Sequence, residues 1–274
     1  LSLVGAQRQW DIGEGLQFLL SGEHTAIDAL PLATQRTALA AGLSYRHPAG
    51  ITASTRDEMR WEEGGKQRQQ FLTINHIELK LNPDYSVLGK YRYGITRDLA
   101  LNRTEAKFAE QSIGLAYRPV AHDRLNGLAR YTHLAEQRPL LQGQLNGEET
   151  AKDIASIEWS LDINPALEWV GKQAFKIKRE QWVDYPAVTT HTYLSIQRLN
   201  YHLRPKLDLG MEYRILSNRE ADDQRQGWLS ELSWKAMRHL RLGAGYNFTD
   251  FSDNEFSDNN YSTYGWFMRV QGMY

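Results

Sequence analysis

The sequence of 274 residues predicts an all-β fold, specifically an antiparallel transmembrane β-barrel of about 14–16 strands. Three observations predict it. Apolar and polar residues alternate along the chain, the connections between the alternating segments are short and long in turn, and aromatic residues lie near the ends of those segments on the apolar side.

The alternation has a period of two residues. In segment 85–95, Tyr85, Tyr91 and Tyr93 lie on one side of an extended chain, and Lys90 and Arg92 lie on the other. An extended strand places successive side chains on opposite faces, so this period predicts strands with one apolar and one polar face rather than helices. The same pattern is found at 151–163, 167–177, 207–215, 240–248 and 264–274.

The connections follow a regular order. Short ones such as "NPD" at 82–84 and "NPA" at 164–166 carry turn residues. Outer-membrane barrels have short periplasmic turns and longer extracellular loops, so alternating lengths favour that class. The predicted longer connections are "EEGGK" near 62–66, "TRDLALNRT" near 96–104, "EQRPLLQGQLNGEE" near 136–149, "KREQWVDYP" near 178–186, "NREADDQRQG" near 218–227 and "TDFSDNEFSDNN" at 249–260.

The aromatic residues distinguish a membrane barrel from a soluble β-sandwich or small propeller, the alternative that alternation also allows. A membrane barrel places aromatic girdles at both membrane interfaces, at the ends of its strands. The residues predicted to face lipid or an interface are Tyr85, Tyr91, Tyr93, Trp159, Trp169, Tyr213, Tyr246, Trp266 and Tyr274.

Composition limits the function classes. The 32 Lys and Arg residues nearly balance the 33 Asp and Glu residues, which gives no basic surface for nucleic acid. The chain has no cysteine, so disulfides and thiolate metal sites are excluded. No linker rich in Gly, Ser or Pro divides it, and we predict a single barrel domain over residues 1–274.

The polar face of such a barrel would line its lumen. Charges of both signs are mixed on that face, with a small basic excess. Two hypotheses follow: an open aqueous channel with a mild anion preference, or a lumen in which ion pairs mainly hold the wall rigid. The residues predicted to line the lumen are Lys90, Arg92, Arg118, Arg130, Lys152, Glu158, Glu168, Lys172, Glu212, Arg214, Glu231, Arg241 and Arg269.

An enzyme is not predicted. The eight histidines are scattered and match neither HExxH nor the vicinity of a GxSxG motif. The alternative that stays open is an outer-membrane hydrolase with a site at the barrel rim. The acidic residues of the 249–260 loop allow calcium binding, although a solvated loop is the preferred interpretation; otherwise no cofactor or metal is expected.

Two stretches carry a family resemblance. "LGAGYNFTDFSD", followed by "YGWFMRVQGMY", and "IGLAYRPVAHDRLNGLARYTHL" at 113–134 resemble the C-terminal outer-membrane β-barrel domain of large, repeat-containing Gram-negative bacterial surface proteins. The resemblance is clearest in the last third of the chain. The chain ends on Tyr274, where the family more usually has phenylalanine.

The resemblance implies a location and a set of partners. It implies a barrel in the bacterial outer membrane, in contact with lipid and lipopolysaccharide, that anchors or translocates a larger N-terminal region. It also implies that Trp266, Met268, Val270 and Tyr274 form the signal for the barrel-assembly machinery. Together with the polar face, this predicts either a passive pore or a membrane anchor, and we expect the protein to be a monomer.

Overall fold

The structure, a computed structural model, describes residues 2–27, 33–138, 148–182, 185–248 and 265–272. Within these ranges the chain forms fifteen β-strands. They are β1 (Ser2–Gly13), β2 (Leu16–Ile27), β3 (Thr34–His47), β4 (Ile51–Glu63), β5 (Arg68–Lys80), β6 (Tyr85–Asp98), β7 (Arg103–Tyr117), β8 (Leu125–Arg138), β9 (Glu148–Asn164), β10 (Leu167–Gln181), β11 (Val188–Arg204), β12 (Leu207–Asn218), β13 (Asp223–Met237), β14 (Leu240–Asn247) and β15 (Gly265–Gly272).

The strands form one sheet in which each strand is hydrogen-bonded to the next in sequence, from β1 to β15. The pairings from β1 to β6 and from β11 to β15 are antiparallel, and most of them keep one register along their length. Small register shifts occur near Asp11, His202 and Lys235, each beside a tight turn. The predicted all-β antiparallel fold and the predicted range of strand number are therefore confirmed.

Backbone contacts divide the chain into two compact units. Unit 1 consists of Leu1–Leu115, Tyr131–Asp153 and Lys178–Thr189. Unit 2 consists of Ala116–Arg130, Ile154–Ile177 and Thr190–Tyr274. The prediction of a single domain over the whole chain stays a prediction.

The tight turns follow from their residues. Between β1 and β2, Glu14 and Gly15 both have positive φ, at 51° and 79°, the conformation of a two-residue hairpin turn of type I′. A Cβ atom on Gly15 would also lie 2.0 Å from the carbonyl oxygen of Arg46, so only glycine fits there. Between β5 and β6, the Asn82 side chain accepts hydrogen bonds from the backbone N–H groups of Asp84 and Tyr85, both at 2.9 Å.

Two of the predicted long connections are much shorter in the structure. Strand β6 ends at Asp98 and β7 begins at Arg103. Likewise, β12 ends at Asn218 and β13 begins at Asp223. Polar residues at these strand ends keep the two-residue alternation while they pair across the hairpin, so polarity alone did not mark a loop. Asp98 then closes its turn by accepting a hydrogen bond from the Leu101 N–H at 3.0 Å.

The described residues bury few large apolar side chains. The buried apolar residues are Ala40, Ala174, Leu194 and Leu229. Leu194 and Ala174 pack with Ile196 and Leu216 in unit 2. A soluble β-sandwich would instead bury a whole apolar face of each sheet against a second layer. No helix among the described residues has the length and apolar character needed to cross a membrane.

Candidate functional site

The polar face of unit 2 carries a network of charges that we call the ion-pair belt, formed by Arg198, Glu212, Arg214, Glu231 and Arg269. Nη1 of Arg198 lies 3.4 Å from Glu212 Oε2, and Nη2 lies 3.1 Å from Glu231 Oε2. Glu231 Oε2 also lies 3.2 Å from Nη1 of Arg269. Glu212 pairs in addition with Arg214 on its own strand. The belt thus connects β11, β12, β13 and β15.

Hydrogen bonds extend the belt to two further strands. The Arg198 Nε–H donates to Asn200 Oδ1 at 2.7 Å, and Asn200 Nδ2 donates to Glu168 Oε2 at 2.9 Å. The other oxygen of Glu168 accepts a hydrogen bond from the Ser160 hydroxyl at 2.6 Å. The three guanidinium groups pair with Glu212 and Glu231, and Glu168, linked through Asn200, adds a third carboxylate to the network. This part of the polar face is electrically balanced.

Two glycines make room for the belt. A Cβ atom on Gly210 would lie 2.5 Å from Nη2 of Arg198, and one on Gly243 would lie 2.6 Å from Glu231 Oε1. Any side chain at these positions would displace the charged groups from their partners. Glu231 is only 3% exposed, so its charge depends on those partners for compensation.

The polar face of unit 1 carries separate clusters. Glu58 on β4 lies between Arg56 and Arg60, which both pair with it. Glu110 on β7 accepts from Lys90 at 2.7 Å and from Arg92 at 3.1 Å. Register places Arg36 opposite Glu62, and the two form an ion pair at 2.8 Å. In these clusters the carboxylates are less exposed than the cations that surround them.

Two cavities lie beside these clusters in unit 1. One has a volume of about 680 Å³ and is lined by residues of β1 to β5, among them Glu23, Arg36, Arg56 and Glu62. The other has a volume of about 280 Å³ and is lined by residues of β4 to β8. Glu58, Arg60 and Gln70 line both. Polar groups of both charge signs are therefore accessible along this face.

Most of the residues predicted to line the lumen lie in the networks of the polar face. Lys152 pairs with Glu136, Lys172 with Glu158, and Arg241 with Asp208, each at 3.5 Å. Arg130 lies within β8. Arg118 does not lie in a strand, and its place in the lumen stays a prediction. It follows the last residue of β7 and precedes Pro119, which cannot donate to a sheet and ends the strand.

Sequence patterns do not identify every charged residue of the polar face. Arg198 follows Leu194 and Ile196, apolar residues on the same face of β11, which masked the alternation there. Arg56, Glu58, Arg60 and Glu62 alternate in sign at every second residue of β4, a pattern that would have identified them as a charged face.

The opposite face is apolar and exposed. In unit 2, register places Leu209, Leu232, Ala244 and Met268 side by side across β12 to β15. Further large apolar side chains exposed in unit 2 are Ile157, Phe175, Tyr193, Leu199, Met211, Trp228, Trp234, Trp266 and Val270. In unit 1 they include Leu20, Leu39, Leu43, Ile77, Tyr85, Tyr91 and Ile113.

Aromatic pairs of unit 2 lie near both ends of its strands. Trp159 and Trp169, near the short turn between β9 and β10, have ring centroids 5.3 Å apart. Tyr246 and Trp266 lie at the other end, beside the connection from β14 to β15, with centroids 5.2 Å apart. The ring centroids of Tyr213 and Trp228 are 4.4 Å apart. Tyr274 and the proposed calcium loop at 249–260 lie outside the described residues.

Solved structures provide the comparison that identifies the fold. The ferric-catecholate import receptor Fiu from E. coli K12 matches with a TM-score of 0.63 and 9% identity, over 89% of this chain and 58% of the receptor. The siderophore receptor PiuA from Acinetobacter baumannii matches with a TM-score of 0.60 and 9% identity, over 89% of this chain and 54% of the receptor.

The chain has the fold of an outer-membrane β-barrel. This is the fold class that the sequence predicts. The barrel chain spans a little over half the length of the two receptors. No protein-family model matches it, and no curated protein sequence matches it.

Three histidines of the barrel pair with carboxylates. His133 Nδ1 lies 2.8 Å from Asp153, His191 Nδ1 lies 2.6 Å from Glu220, and His202 Nδ1 lies 2.7 Å from Asp208. Among the described residues, no serine hydroxyl lies within hydrogen-bonding distance of these rings, so no Ser–His–acid triad is assembled there. The part of the chain that the structure describes also holds no group of three His, Asp or Glu residues suited to a metal ion.

Glu220 lies in the connection between β12 and β13 and is held by the beginning of β11. The backbone N–H of His191 donates to its carboxylate at 2.6 Å, and the imidazole Nδ1 contacts the other oxygen. These two hydrogen bonds, the backbone one first, lower the pKa of Glu220 from its ordinary value. The contact therefore ties a connection to a neighbouring strand while Glu220 is ionised.

Proposed function

We propose that the chain spans the outer membrane as a β-barrel and acts as a passive pore for small polar solutes. The observation that carries the proposal is the separation of the two faces: large apolar side chains are exposed on one, and paired charges cover the other. Contiguous apolar surface of this extent is rare on proteins in water. Contact with lipid would suit the apolar face, and contact with water would suit the charged face.

The strand number supports a water-filled interior. Barrels of about eight strands are filled by their own side chains, whereas wider ones leave a channel or hold a plug. Fifteen strands are described here. The solved structures with the same fold are a ferric-catecholate import receptor and a siderophore receptor, which supports solute passage as the role of this chain.

Conductance in a planar lipid bilayer tests the pore. We expect stepwise current increases on insertion of the folded protein, with weak ion selectivity because the ion-pair belt together with Glu168 is balanced. The variant Lys235→Glu changes an exposed cation on the polar face of β13, which pairs in register with Arg241, and should shift the reversal potential towards cation preference.

Lys66→Glu is the matched control, since the same charge change falls in the connection between β4 and β5. It should move the reversal potential much less. Folded, inserted protein that never conducts would refute the pore.

A membrane anchor or translocator for a larger N-terminal region is the second candidate. It is favoured by the resemblance of "LGAGYNFTDFSD" and "YGWFMRVQGMY" to barrel domains of large surface proteins, and these stretches include most of β14 and all of β15. In this proposal the exposed side chains of Trp266, Met268 and Val270 belong to the signal for the barrel-assembly machinery.

Protease treatment of intact cells that express the full-length gene product tests the anchor. Fragments derived from a long region preceding the barrel, released from the cell surface, would support it. A gene that encodes only a signal peptide before the barrel would count against it, and would leave the pore unaffected.

A further inference from the structure

The smaller cavity of unit 1 combines an apolar floor with two open guanidinium groups. It has a volume of about 280 Å³, and its lining includes Leu72, Phe108, Arg60 and Arg138. We propose that it is a binding subsite for an aromatic carboxylate, whose ring would pack on Phe108 and whose carboxylate would bind the arginines. The subsite rests on the proposed pore only in that solutes reach it from the polar face.

Phe108 is held in place by its neighbours. A Cβ atom on Gly94 would lie 2.5 Å from Cε1 of Phe108, so the ring occupies the space that a side chain at position 94 would take. The Arg92 guanidinium carbon lies 5.5 Å from the centroid of the same ring. A ring fixed in this way offers a planar apolar surface, and little side-chain entropy is lost when a ligand packs on it. Offset or edge contacts between the two aromatic rings would stabilise the bound ligand further.

Each of the two arginines forms an ion pair with a glutamate while most of its side chain stays exposed. Arg60 donates through Nε to Glu58, and Arg138 donates through Nη2 to Glu136 at 2.9 Å. The glutamate side chains are 10% and 18% exposed, whereas those of Arg60 and Arg138 are 59% and 64% exposed. The guanidinium groups thus keep donors available, and their planar fork suits a carboxylate.

Charge around the cavity favours an anion. Glu58 pairs with Arg56 as well as Arg60, and Glu136 pairs with Lys152 as well as Arg138. The cavity lining itself holds three cations, Arg60, Lys107 and Arg138, against these two carboxylates, which leaves one positive charge in excess. The ion-pair belt of unit 2 has no such excess once Glu168 is counted with it, so the anion preference is a local property of this cavity.

Size also fits a small ligand. Ligand pockets usually have volumes of about 300–1,000 Å³, and this cavity lies near the lower limit. Its neighbour of about 680 Å³ shares Arg60, Glu58 and Gln70 with it, so a solute would have a polar path along the same face. A single ring with one carboxylate is the simplest molecule that uses both the apolar floor and the arginines.

Isothermal titration of the folded full chain in detergent with benzoate tests the proposal. Benzoate should bind, and neutral benzyl alcohol should bind at least about tenfold more weakly because it lacks the charge. Arg60→Gln and Arg138→Gln should each weaken benzoate binding about tenfold. Phe108→Leu should weaken benzoate binding but leave the weaker binding of acetate unchanged.

Arg225→Gln is the matched control. Arg225 also donates through Nε to an acidic residue two positions earlier, Asp223, at 3.1 Å and is similarly exposed, but it lies in unit 2. It should bind benzoate like the parent protein. Circular dichroism of each variant checks that the strands have formed, and either arginine variant alone suffices for the test.

Equal binding of benzoate by the parent and by a folded arginine variant would overturn the subsite, as would equal binding of benzyl alcohol and benzoate. Bilayer conductance of the same preparation separates this result from the proposed function. A conducting protein that does not bind benzoate refutes the subsite alone, and a protein that binds benzoate without conducting refutes the pore alone.

Discussion

Glu231 is the carboxylate that joins the two sides of the ion-pair belt. It lies between Arg198 and Arg269, and almost none of its surface is exposed. Desolvating a carboxylate is costly unless its partners remain, and removing one member of a buried ion pair leaves the others uncompensated. The belt therefore stabilises the fold only as a complete set.

Replacing Glu231 with Gln should lower the free energy of unfolding by about 2–3 kcal/mol, because two guanidinium groups lose their shared partner. Urea-induced unfolding of the detergent-solubilised protein measures this. Asp223→Asn is the control, since its pair with Arg225 is exposed and should cost about 0.5 kcal/mol or less. Similar losses in both variants would show that the belt contributes no more than surface pairs.

At this scale the sequence predicts which face a residue belongs to but not its partners. Alternation placed Glu212, Arg214 and Glu231 on the polar face, and they lie there together. Which carboxylate meets which arginine depends on strand register, and no local pattern contains that information. The same dependence explains why Arg198, the centre of the belt, was overlooked.

At the scale of elements, β9 and β10 are fitted together by one aromatic side chain and one glycine. The indole of Trp159 lies over Gly171, where a Cβ atom would be 2.0 Å from its Cζ2. The same indole makes an edge-to-face contact with Trp169. Glycine in a strand is normally unfavourable, and here it allows a close approach.

Gly171→Ala should force Trp159 out of this position, change the near-UV circular dichroism of the tryptophans and lower stability by about 1–3 kcal/mol. Gly127→Ala is the control: it is a strand glycine of the same unit, and its added Cβ would meet its nearest neighbour at 3.8 Å. An unchanged tryptophan signal in Gly171→Ala would mean that the indole is free to move.

The contact between Glu220 and His191 makes one connection pH-dependent. The pKa of Glu220 is lowered below its ordinary value of 4.5, chiefly by the backbone N–H of His191. A carboxylate with a lowered pKa stabilises the folded state above its unfolded pKa, and that contribution disappears as pH falls through the folded value. Acidification below pH 4.5 should therefore loosen the connection between β12 and β13.

Amide hydrogen exchange of His191, measured between pH 5 and 3 and corrected for the intrinsic rate, reports this loosening. Protection should decrease with acidification in the parent protein. In Glu220→Gln it should be lower at pH 5 and should change less with pH. An unchanged pH profile in the variant would assign the effect to another group.

The strand boundaries show where sequence patterns are less informative. Alternation identifies the central segments of β6, β12 and β14, yet the polar residues at the ends of strands have the composition of loops. Strands that extend beyond an apolar layer into water need no apolar side chains at their ends, although their backbone still pairs. Hydrogen bonding between neighbours, not polarity, decides where such a strand stops.

At the scale of the whole molecule, the fold class follows from the alternation of polar and apolar side chains, which recurs from strand to strand. A low overall hydropathy of −0.57 accompanies an exposed apolar face because each strand contributes equally to a polar and an apolar face. Sequence patterns predicted this two-faced sheet and the approximate number of strands. Local alternation does not contain the positions of ion-pair partners, cavities or glycine contacts, which depend on neighbouring strands.

Leu199→Arg tests directly whether the apolar face meets lipid. Leu199 lies on β11, and its side chain is 47% exposed. An arginine on a lipid-facing strand costs about 2–4 kcal/mol near the membrane midplane, whereas an exposed position in water tolerates it within about 0.5 kcal/mol. Leu101→Arg, in the connection between β6 and β7 and 61% exposed, is the control. Folding equilibria in lipid vesicles should show a large loss for Leu199→Arg only, and equal, small effects of both substitutions would place the apolar face in water.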